Sequence, residues 1–383
     1  MYLNRIALMS ATSFFLFGPR GSGKSMWLNH ACPEAHVVNL LDETTYQRLL
    51  ANPALFADEL RPLKPRQWVL VDEVQRLPGL LNEVHRFIEE RSLRFILCGS
   101  SARKLKRDSV NLLAGRALKC AMHPFTPEEL GERFDLDEAL RHGLLPIVWD
   151  SPDRDARLQA YSQLYLREEI QAEALVRNLA GFARFLPIAA LYHGQIINVS
   201  NIARDAGVAR TTVSGHLDIL EETLLCFRLP AYDAKLRVRE RKLPKWYWCD
   251  PGIVRSMKGV YGPDAPEERG ALFEGLVAQT IRAYRDYRSI CDDFFYWSPA
   301  GAVSTEVDFL LRRGNRFIAV EVKSGRRFER SWCRGLGAIA PLEGLCRRII
   351  VYPRGPRLAT QDGIDVLAFT EFASELASGT LWP

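Results

Sequence analysis

The chain has 383 residues, of which 47% are hydrophobic and 25% are charged. This composition excludes a disordered or fibrous protein, and a chain of this length is expected to form about two to four domains. The net charge of +5 permits an anionic partner without requiring one.

The cysteines and the apolar stretches indicate the compartment. The eight cysteines form no CxxC pair and no His–Cys cluster with zinc spacing, so we expect free thiols in a reducing environment. No apolar stretch has the length of a membrane span, and the N-terminus lacks a charged and then apolar leader. We therefore expect a cytoplasmic protein without a membrane partner.

A glycine-rich loop lies between a predicted strand, Thr12–Phe17, and a helix that begins around Met26. This strand–loop–helix context argues against an incidental glycine turn. The loop matches the G-x4-G-K-S pattern, with the residues Gly18, Pro19, Arg20, Gly21, Ser22, Gly23, Lys24 and Ser25. The glycines let backbone N–H groups point at phosphate oxygens, Lys24 would neutralise the β- and γ-phosphates, and Ser25 would ligate Mg²⁺. The loop predicts a site for ATP and Mg²⁺.

Two further apolar runs end in polar residues that suit the same site. Trp68–Val71 is followed by Asp72 and Glu73. At a strand's carboxyl end, Asp72 can hold the magnesium shell while Glu73 orients and deprotonates the attacking water. A third run, Phe95–Cys98, leads to Ser100, which suits a γ-phosphate sensor between the other two strands.

These three strand ends resemble the AAA+ ATPase family over about residues 1–180. The resemblance implies a homo-oligomer, a hexameric ring, in which an arginine reaches the neighbouring subunit's nucleotide. Arg116, before the strand Ala117–Met122, is the candidate, and capping of a helix C-terminus is the alternative role. The family often has Asn where this chain has Ser100. For the second sensor, three arginines stay open: Arg141, Arg157 and Arg167.

The middle of the chain is predicted to be helical. Thr126 and Glu129 form a capping-box pattern, and helical periodicity up to about residue 183 indicates a lid over the nucleotide. Beyond it, Val199–Asp205 and Thr211–Leu220 are predicted as the two helices of a helix-turn-helix. The second helix would bury Val213, Leu217 and Leu220. It would present the following side chains outward to DNA: Arg210, Thr211, Thr212, Ser214 and His216.

A basic segment follows the helix pair. Alternation along a strand would place Lys235, Arg237, Arg239 and Arg241 on one face, as a basic wing along phosphates. Two alternatives stay open. Winged helices also serve as protein–protein modules, and a charged strand face is often only solvated.

The C-terminal part carries a second set of charged residues in predicted secondary structure. Glu274 lies on a helix from Ala271 to about Tyr284. The runs Glu306–Leu311 and Ile318–Lys323 form a hairpin. Asp308 beside Glu321 would make a pocket for a hard cation such as Mg²⁺, and Lys323 would position the attacking water.

This pattern resembles the PD-(D/E)XK nuclease superfamily over about residues 265–355. The resemblance implies the catalytic residues Asp308, Glu321 and Lys323, with Glu274 joining Asp308 and Glu321 as metal ligands. The fold is also used as an inert binding domain, and that alternative stays open.

The predicted fold class is multidomain α/β. The domains are an AAA+ P-loop core of parallel sheet and flanking helices (1–125), a helical lid (126–183), a winged helix-turn-helix (184–262) and a restriction-endonuclease-like α/β domain (263–383). Over its full length the chain resembles bacterial or archaeal AAA+ proteins of this architecture.

The predicted function is ATP-driven remodelling or translocation of DNA, either duplex or branched as in Holliday junctions. Two alternatives remain. One is a Mg²⁺-dependent nuclease gated by ATP, as in defence or restriction, and the other is a regulatory NTPase that binds a protein partner.

Overall fold

The computed structural model describes residues 2–100, 115–165, 179–234, 236, 240–300 and 305–383, and only the backbone of residues 164 and 165. The chain divides into two compact units, Met1–His123 with Glu222–Leu224, and Pro124–Glu221 with Leu225–Pro383. The predicted division into four domains stays a prediction. All eight cysteines are free thiols. In the described part of the chain, no helix is long and apolar enough to cross a membrane.

The first unit is built on a parallel sheet, as predicted. Its described strands lie in the order β2-β3-β4-β1-β5, and each neighbouring pair is parallel. The strands are β1 (Phe14–Phe17), β2 (His36–Asn39), β3 (Trp68–Asp72), β4 (Arg94–Gly99) and β5 (Leu118–Ala121). The helices are α1 (Lys24–Ala31), α2 (Glu43–Ala51), α3 (Ala54–Leu60) and α4 (Leu80–Arg91). Because the strands are parallel, the residues that follow β1, β3 and β4 meet at one edge of the sheet.

The inner strands β1, β3 and β4 are buried on both faces, which explains why they are almost wholly apolar. Phe14 and Leu16 pack on one face against Trp27 and Leu28 of α1. On the other face, alternate residues of the same strands pack against α2, α3 and α4; they include Phe15, Phe17, Val69, Val71, Phe95 and Leu97. β1 therefore lies as an inner strand between β4 and β5, and the loop after it leads directly into α1.

The second unit begins with short helices. Thr126 and Glu129 form the predicted capping box at the start of the first of them. The helices before and within the helix pair are α5 (Pro127–Leu130), α6 (Leu136–His142), α7 (Pro146–Trp149), α8 (Arg154–Ala160), α9 (Leu179–Leu191), α10 (Val199–Ala206) and α11 (Arg210–Glu222). Those that follow are α12 (Pro251–Met257), α13 (Pro266–Arg288), α14 (Arg334–Ala338) and α15 (Phe369–Ser378).

Two sheets complete the second unit. A small sheet has the order β6-β8-β7 and consists of β6 (Gln195–Ile196), β7 (Cys226–Leu229) and β8 (Lys245–Trp248). A larger mixed sheet has the order β13-β14-β12-β11-β10-β9. It consists of β9 (Asp293–Trp297), β10 (Val307–Arg313), β11 (Arg316–Val322), β12 (Leu345–Tyr352), β13 (Leu358–Ala359) and β14 (Ile364–Ala368). The predicted hairpin is confirmed as β10 and β11, which are antiparallel, and the predicted glutamate-bearing helix is confirmed as α13.

Candidate functional site

The glycine-rich loop occupies the predicted position between β1 and α1. Gly21 and Gly23 have φ angles of 73° and 86°, in the left-handed region that side-chain-bearing residues rarely adopt. Gly18 lies against the end of β5, where a Cβ would come within 2.4 Å of the Met122 carbonyl oxygen. The sharp turn and the close approach both require glycine. The loop leads directly into α1, so its backbone N–H groups lie near the start of that helix.

Two cations bind the carbonyl groups of this loop. Lys24 is 7% exposed, and its Nζ donates to the Gly18 oxygen at 2.7 Å and the Pro19 oxygen at 3.2 Å. The Arg5 guanidinium donates to the carbonyl oxygens of Ser22 at 2.7 Å and His123 at 2.6 Å. Arg5 was not predicted, because nothing in the local sequence links it to a loop that lies thirteen or more residues away. These contacts connect the loop to the residues that follow β5.

Ser25 and Asp72 meet at the carboxyl edge of the sheet, as the motif predicts. The Ser25 hydroxyl donates to Asp72 Oδ2 at 3.0 Å, and the Glu73 N–H donates to Asp72 Oδ1 at 3.1 Å. Asp72 is only 8% exposed. A hydroxyl and a carboxylate are oxygen ligands of the kind that Mg²⁺ prefers. This donor pair fits a magnesium ion carried by a nucleotide on the neighbouring loop.

Gln75 connects the two other residues predicted for hydrolysis. β4 pairs with both β1 and β3, so Ser100 lies between the loop and Glu73 as expected. The Gln75 Nε2 donates to Glu73 Oε2 and to Ser100 Oγ, the latter at 3.3 Å. Glu73 has a φ of 56°, a left-handed conformation. Gln75 is 3% exposed and approaches Gly99 so closely that a Cβ there would lie 2.3 Å from its Oε1.

Gln75 was missed by the sequence analysis, although its position two residues after Glu73 was visible. Gln75 lies between Val74 and Arg76, and nothing in this mixed run marks it as a partner of Glu73 and Ser100. Its buried amide holds the Glu73 carboxylate and the Ser100 hydroxyl in one hydrogen-bonded row.

Arg116 lies before β5 and forms an ion pair with Glu89 of α4. Phe14 of β1 is in register with Leu118 of β5, so Arg116 is at the amino edge of the sheet, whereas the glycine-rich loop is at the carboxyl edge. The residues 101–114 before it lie outside the described part, so the alternative of a helix cap stays open.

The three arginines considered for a second sensor have separate surroundings. Arg141 forms an ion pair with Asp155 at 2.9 Å, Arg157 is exposed, and Arg167 lies outside the described residues. The second-sensor role therefore stays unassigned.

The helix pair forms as predicted, with one correction. Gly207, with a φ of 63°, ends α10 before the turn into α11, and the predicted inner residues of α11 are buried, namely Val213, Leu217 and Leu220. Arg210 and Thr211 are exposed, and Thr212 and Ser214 are half-buried.

The prediction that His216 faces outward is wrong. Its side chain is 4% exposed and lies between the rings of Phe182 and Phe185, with centroids 4.9 and 5.1 Å away. Burial lowers the pKa of His216. The two aromatic residues belong to α9, an element whose approach the periodicity of α11 alone did not reveal.

The basic segment after β7 is only partly described. Lys235, Arg237 and Arg239 lie outside the described residues, and Arg241 is exposed. Between them, Leu236, like the earlier Tyr232 and Ala234, packs against the core of the larger sheet. These three apolar residues therefore face the C-terminal sheet.

The C-terminal acidic residues converge on a lysine that was not predicted. Lys245, the first residue of β8, is 2% exposed. Its Nζ lies 3.0 Å from Glu274 Oε1, 3.2 Å from Asp308 Oδ1 and 3.5 Å from Glu306 Oε1. The Tyr247 hydroxyl also donates to Glu274 Oε1.

The remaining two predicted residues complete this cluster. Lys323 Nζ pairs with Glu321 Oε1, and Glu321 Oε2 is buried without a hydrogen-bond partner. Asp308 Oδ2 accepts a hydrogen bond from the Val322 N–H at 2.9 Å. All four predicted residues, Glu274, Asp308, Glu321 and Lys323, are thus brought to one place, with Lys245 added.

Burial dominates the electrostatics of the cluster. Burial, followed by the charge of Asp308, raises the pKa of Glu274 to about 7 and raises the pKa of Glu321 well above its usual range. Burial by itself lowers the pKa of Lys245, but the surrounding acidic groups outweigh it and raise that pKa well above its ordinary value. The lysine is therefore charged and is the counter-ion of these carboxylates.

The arrangement differs from the predicted metal pocket. Among the described residues, no group of three or more His, Cys, Asp or Glu side chains is arranged to hold a metal ion. Lys245 was visible as a lone charge at the start of the aromatic run Lys245–Trp248, and a buried charge requires counter-charges.

Three family models match successive parts of the chain. Residues 10–131 match the model described as "AAA domain". Residues 133–264 and 269–372 each match a domain of unknown function, DUF8612 and DUF4143. The first match and the geometry of the glycine-rich loop agree with the predicted nucleotide-binding P-loop core of AAA type.

Similar proteins extend over most of the chain. An uncharacterized protein of Mycobacterium tuberculosis is 28% identical over 374 residues, which cover 94% of this chain and 80% of the relative. An uncharacterized protein of Haemophilus influenzae is 22% identical over 354 residues, which cover 84% of this chain and 85% of the relative.

Solved structures give weaker likenesses. The RuvB K64R mutant of Thermotoga maritima is 16% identical, with 57% of this chain and 82% of that chain covered and a TM-score of 0.29. The Aeropyrum pernix ORC1 protein in complex with DNA is 13% identical, with 66% of this chain and 87% of that chain covered and a TM-score of 0.25. At such scores these likenesses carry no inference.

Proposed function

We propose that this protein is an AAA-type ATPase that binds DNA and uses ATP hydrolysis to remodel it. The observation that carries the proposal is the row of polar side chains at the carboxyl edge of the first sheet. Ser25 contacts Asp72 there, and Gln75 links Glu73 to Ser100. The match of residues 10–131 to the AAA domain supports the same assignment.

The residues of the glycine-rich loop and of this row would have distinct parts in hydrolysis. Lys24, which now donates to two loop carbonyls, would donate to the β- and γ-phosphates, which are stronger acceptors because they are charged. Ser25 and Asp72 would hold Mg²⁺, which supplies charge neutralisation when bound. Glu73 would accept a proton from the attacking water.

The DNA part of the proposal rests on exposed cations in the second unit. Arg210, with Thr211 beside it, is exposed at the start of α11, and Arg241 is exposed between β7 and β8. Start-of-helix residues in the second helix of such a pair are the ones that reach base edges or phosphates. The net charge of +5 permits an anionic partner.

The test is the ATPase rate of the full chain at low salt, alone and with linear duplex, single-stranded or four-way DNA. Stimulation by at least one DNA form supports the proposal. Glu73→Gln is the matched variant, and its loss of turnover would show that the wild-type rate does not come from a contaminating ATPase. ATPase activity that no DNA changes, together with no mobility shift, would leave the DNA part without support.

A second candidate is a regulatory NTPase whose C-terminal part binds a protein. It is favoured by the packing of Tyr232, Ala234 and Leu236 on the core of the larger sheet, because a segment attached in this way is less available as a mobile wing. Under this alternative the ATPase is active and indifferent to DNA. A nuclease function is not favoured, since Lys245 pairs with the acidic residues on which that alternative depends.

A further inference from the structure

We infer that Lys245 is a built-in cation of the C-terminal acidic cluster, and that this cluster therefore takes no divalent metal ion in the folded protein. The cluster consists of Glu274, Asp308, Glu321 and Lys323 together with Lys245. The inference is independent of the ATPase site and concerns the chemistry of the second unit alone.

The lysine and a metal ion would need the same oxygen atoms. Lys245 Nζ lies 3.0 Å from Glu274 Oε1 and 3.2 Å from Asp308 Oδ1. A magnesium ion bound by these atoms would lie about 2.0–2.1 Å from each of them. An ammonium group between the two oxygens fills that space, and the two positive charges would repel each other.

Other donors engage the same carboxylates. Asp308 Oδ2 accepts from the Val322 N–H at 2.9 Å, and Glu274 Oε1 also accepts from the Tyr247 hydroxyl. Glu321 Oε1 is taken by Lys323. The one buried oxygen of the cluster shown without a partner in the described residues is Glu321 Oε2, and a single monodentate oxygen does not make a magnesium site.

The main chain fixes Lys245 in place. β8 is the central strand of the small sheet, and Lys245 is in register with Ile196 on one side and Leu229 on the other. The Ile197 N–H donates to the carbonyl of Pro244, the residue before it, at 3.1 Å. With 3% of its side chain exposed, Lys245 is held in the interior by the strand that carries it.

The arrangement also explains why a strand of aromatic residues begins with a lysine. Removing the ammonium would leave buried carboxylates uncompensated, which is the expensive way to break a buried ion pair. The same contacts attach the small sheet to α13 and β10, so Lys245 is a structural link as well as a counter-ion.

The test is Mn²⁺ binding to the nucleotide-free full chain, followed by electron paramagnetic resonance of the free ion. We expect wild type and Asp308→Asn to bind equally, because the cluster contributes no metal site in either. Lys245→Met should gain one Mn²⁺ site, and the double variant Lys245→Met with Asp308→Asn should lose it. Lys245→Arg, which keeps the charge, is the matched control and should gain none.

Thermal unfolding gives a second readout. Lys245→Met should lower the melting temperature by about 10 °C, and Mn²⁺ should restore part of the loss while leaving wild type unchanged. If Lys245→Met does not fold, the comparison of wild type with Asp308→Asn still decides. Mn²⁺ binding by wild type that Asp308→Asn removes would overturn the inference, and so would a folded Lys245→Met protein that gains no site.

Discussion

Gln75 is buried at the carboxyl edge of the first sheet, and its amide contacts both Glu73 and Ser100. A carboxylate that acts on water must be held in one orientation, because a misplacement of about 1 Å can cost two orders of magnitude in rate. Glu73 also has a left-handed backbone, with a φ of 56°. The side-chain contact and the backbone together hold the carboxylate in one direction, and we therefore propose that Gln75 is a positioning residue.

Replacing Gln75 with Ala should lower the ATPase kcat about tenfold or more and leave ATP affinity nearly unchanged, since Gln75 contacts Glu73 and not the loop. Gly99→Ala should have a similar effect, because its Cβ would lie 2.3 Å from the Gln75 side chain. Steady-state kinetics and nucleotide binding are the measurements. Gln47→Ala, at an exposed position of α2, is the control, and an unchanged kcat in Gln75→Ala would contradict the positioning role.

His193 predicts how stability depends on pH. Its Nδ1 accepts a hydrogen bond from the Trp248 N–H at 3.1 Å. Burial, and then the nearby charge of Lys258, lowers its pKa from 6.5 to about 3. The unfolded chain therefore takes up a proton near pH 6.5 while the folded chain does not, so the contribution is complete above that pH and is lost as the pH falls towards 3.

The free energy of unfolding should fall by about 2 kcal/mol from this residue alone between about pH 6.5 and 5. Urea titrations of wild type and His193→Asn at several pH values measure the difference between their pH slopes. Asn keeps an acceptor for the Trp248 N–H and does not titrate. Equal slopes for the two proteins would show that His193 does not carry this dependence.

At the scale of elements, the pair α10 and α11 shows how far periodicity alone can be used. The spacing of Val213, Leu217 and Leu220 identified the buried face of α11 correctly. It did not identify the neighbour that covers the next face, where His216 lies between Phe182 and Phe185. The exposed surface of α11 is therefore narrower than predicted and is concentrated at its N-terminal end.

Arg210→Ala should weaken DNA binding at that end and reduce the slope of log affinity against log salt by about one, the value for one phosphate contact. Arg204→Ala is a matched control, because Arg204 is exposed on the neighbouring α10 and is already paired with Asp205. Fluorescence anisotropy at several salt concentrations measures both slopes. Equal slopes for Arg210→Ala and wild type would remove α11 from the DNA interface.

At the scale of the whole molecule, the position of Arg116 bears on assembly. Arg116 precedes β5 at the amino edge of the sheet, and the glycine-rich loop follows β1 at the carboxyl edge. An arginine in that position cannot serve the loop of its own chain without crossing the sheet. If it contacts a nucleotide, that nucleotide is on another copy of the protein.

Arg116→Ala should then lower the ATPase rate at least about a hundredfold. Mixing it with Lys24→Ala should restore part of the rate, because the second variant offers Arg116 to an intact loop. Glu89→Ala, which removes only the ion-pair partner of Arg116, should stay active. A fully active Arg116→Ala protein would instead mean that the ion pair with Glu89 is its whole role.

The features that the sequence predicted are those set by short segments. The glycine-rich loop, the carboxylates after β3 and the hairpin of β10 and β11 each lie within one strand–loop unit, where spacing determines geometry. The roles of Gln75 and Lys245 became apparent only with the fold, since Ser100 and the partners of Lys245 lie in other parts of the chain. Lys245 is 63 residues from Asp308 along the chain, and no local pattern links the two.

The central claim is that the glycine-rich loop and Glu73 form a hydrolytic ATP site. The most direct measurement compares ATP binding and ATP turnover in wild type and Glu73→Gln. The account predicts that Glu73→Gln binds ATP with Mg²⁺ as tightly as wild type and turns it over at least about a hundredfold more slowly. Turnover by Glu73→Gln at the wild-type rate, or a wild-type protein that binds no ATP, would contradict it.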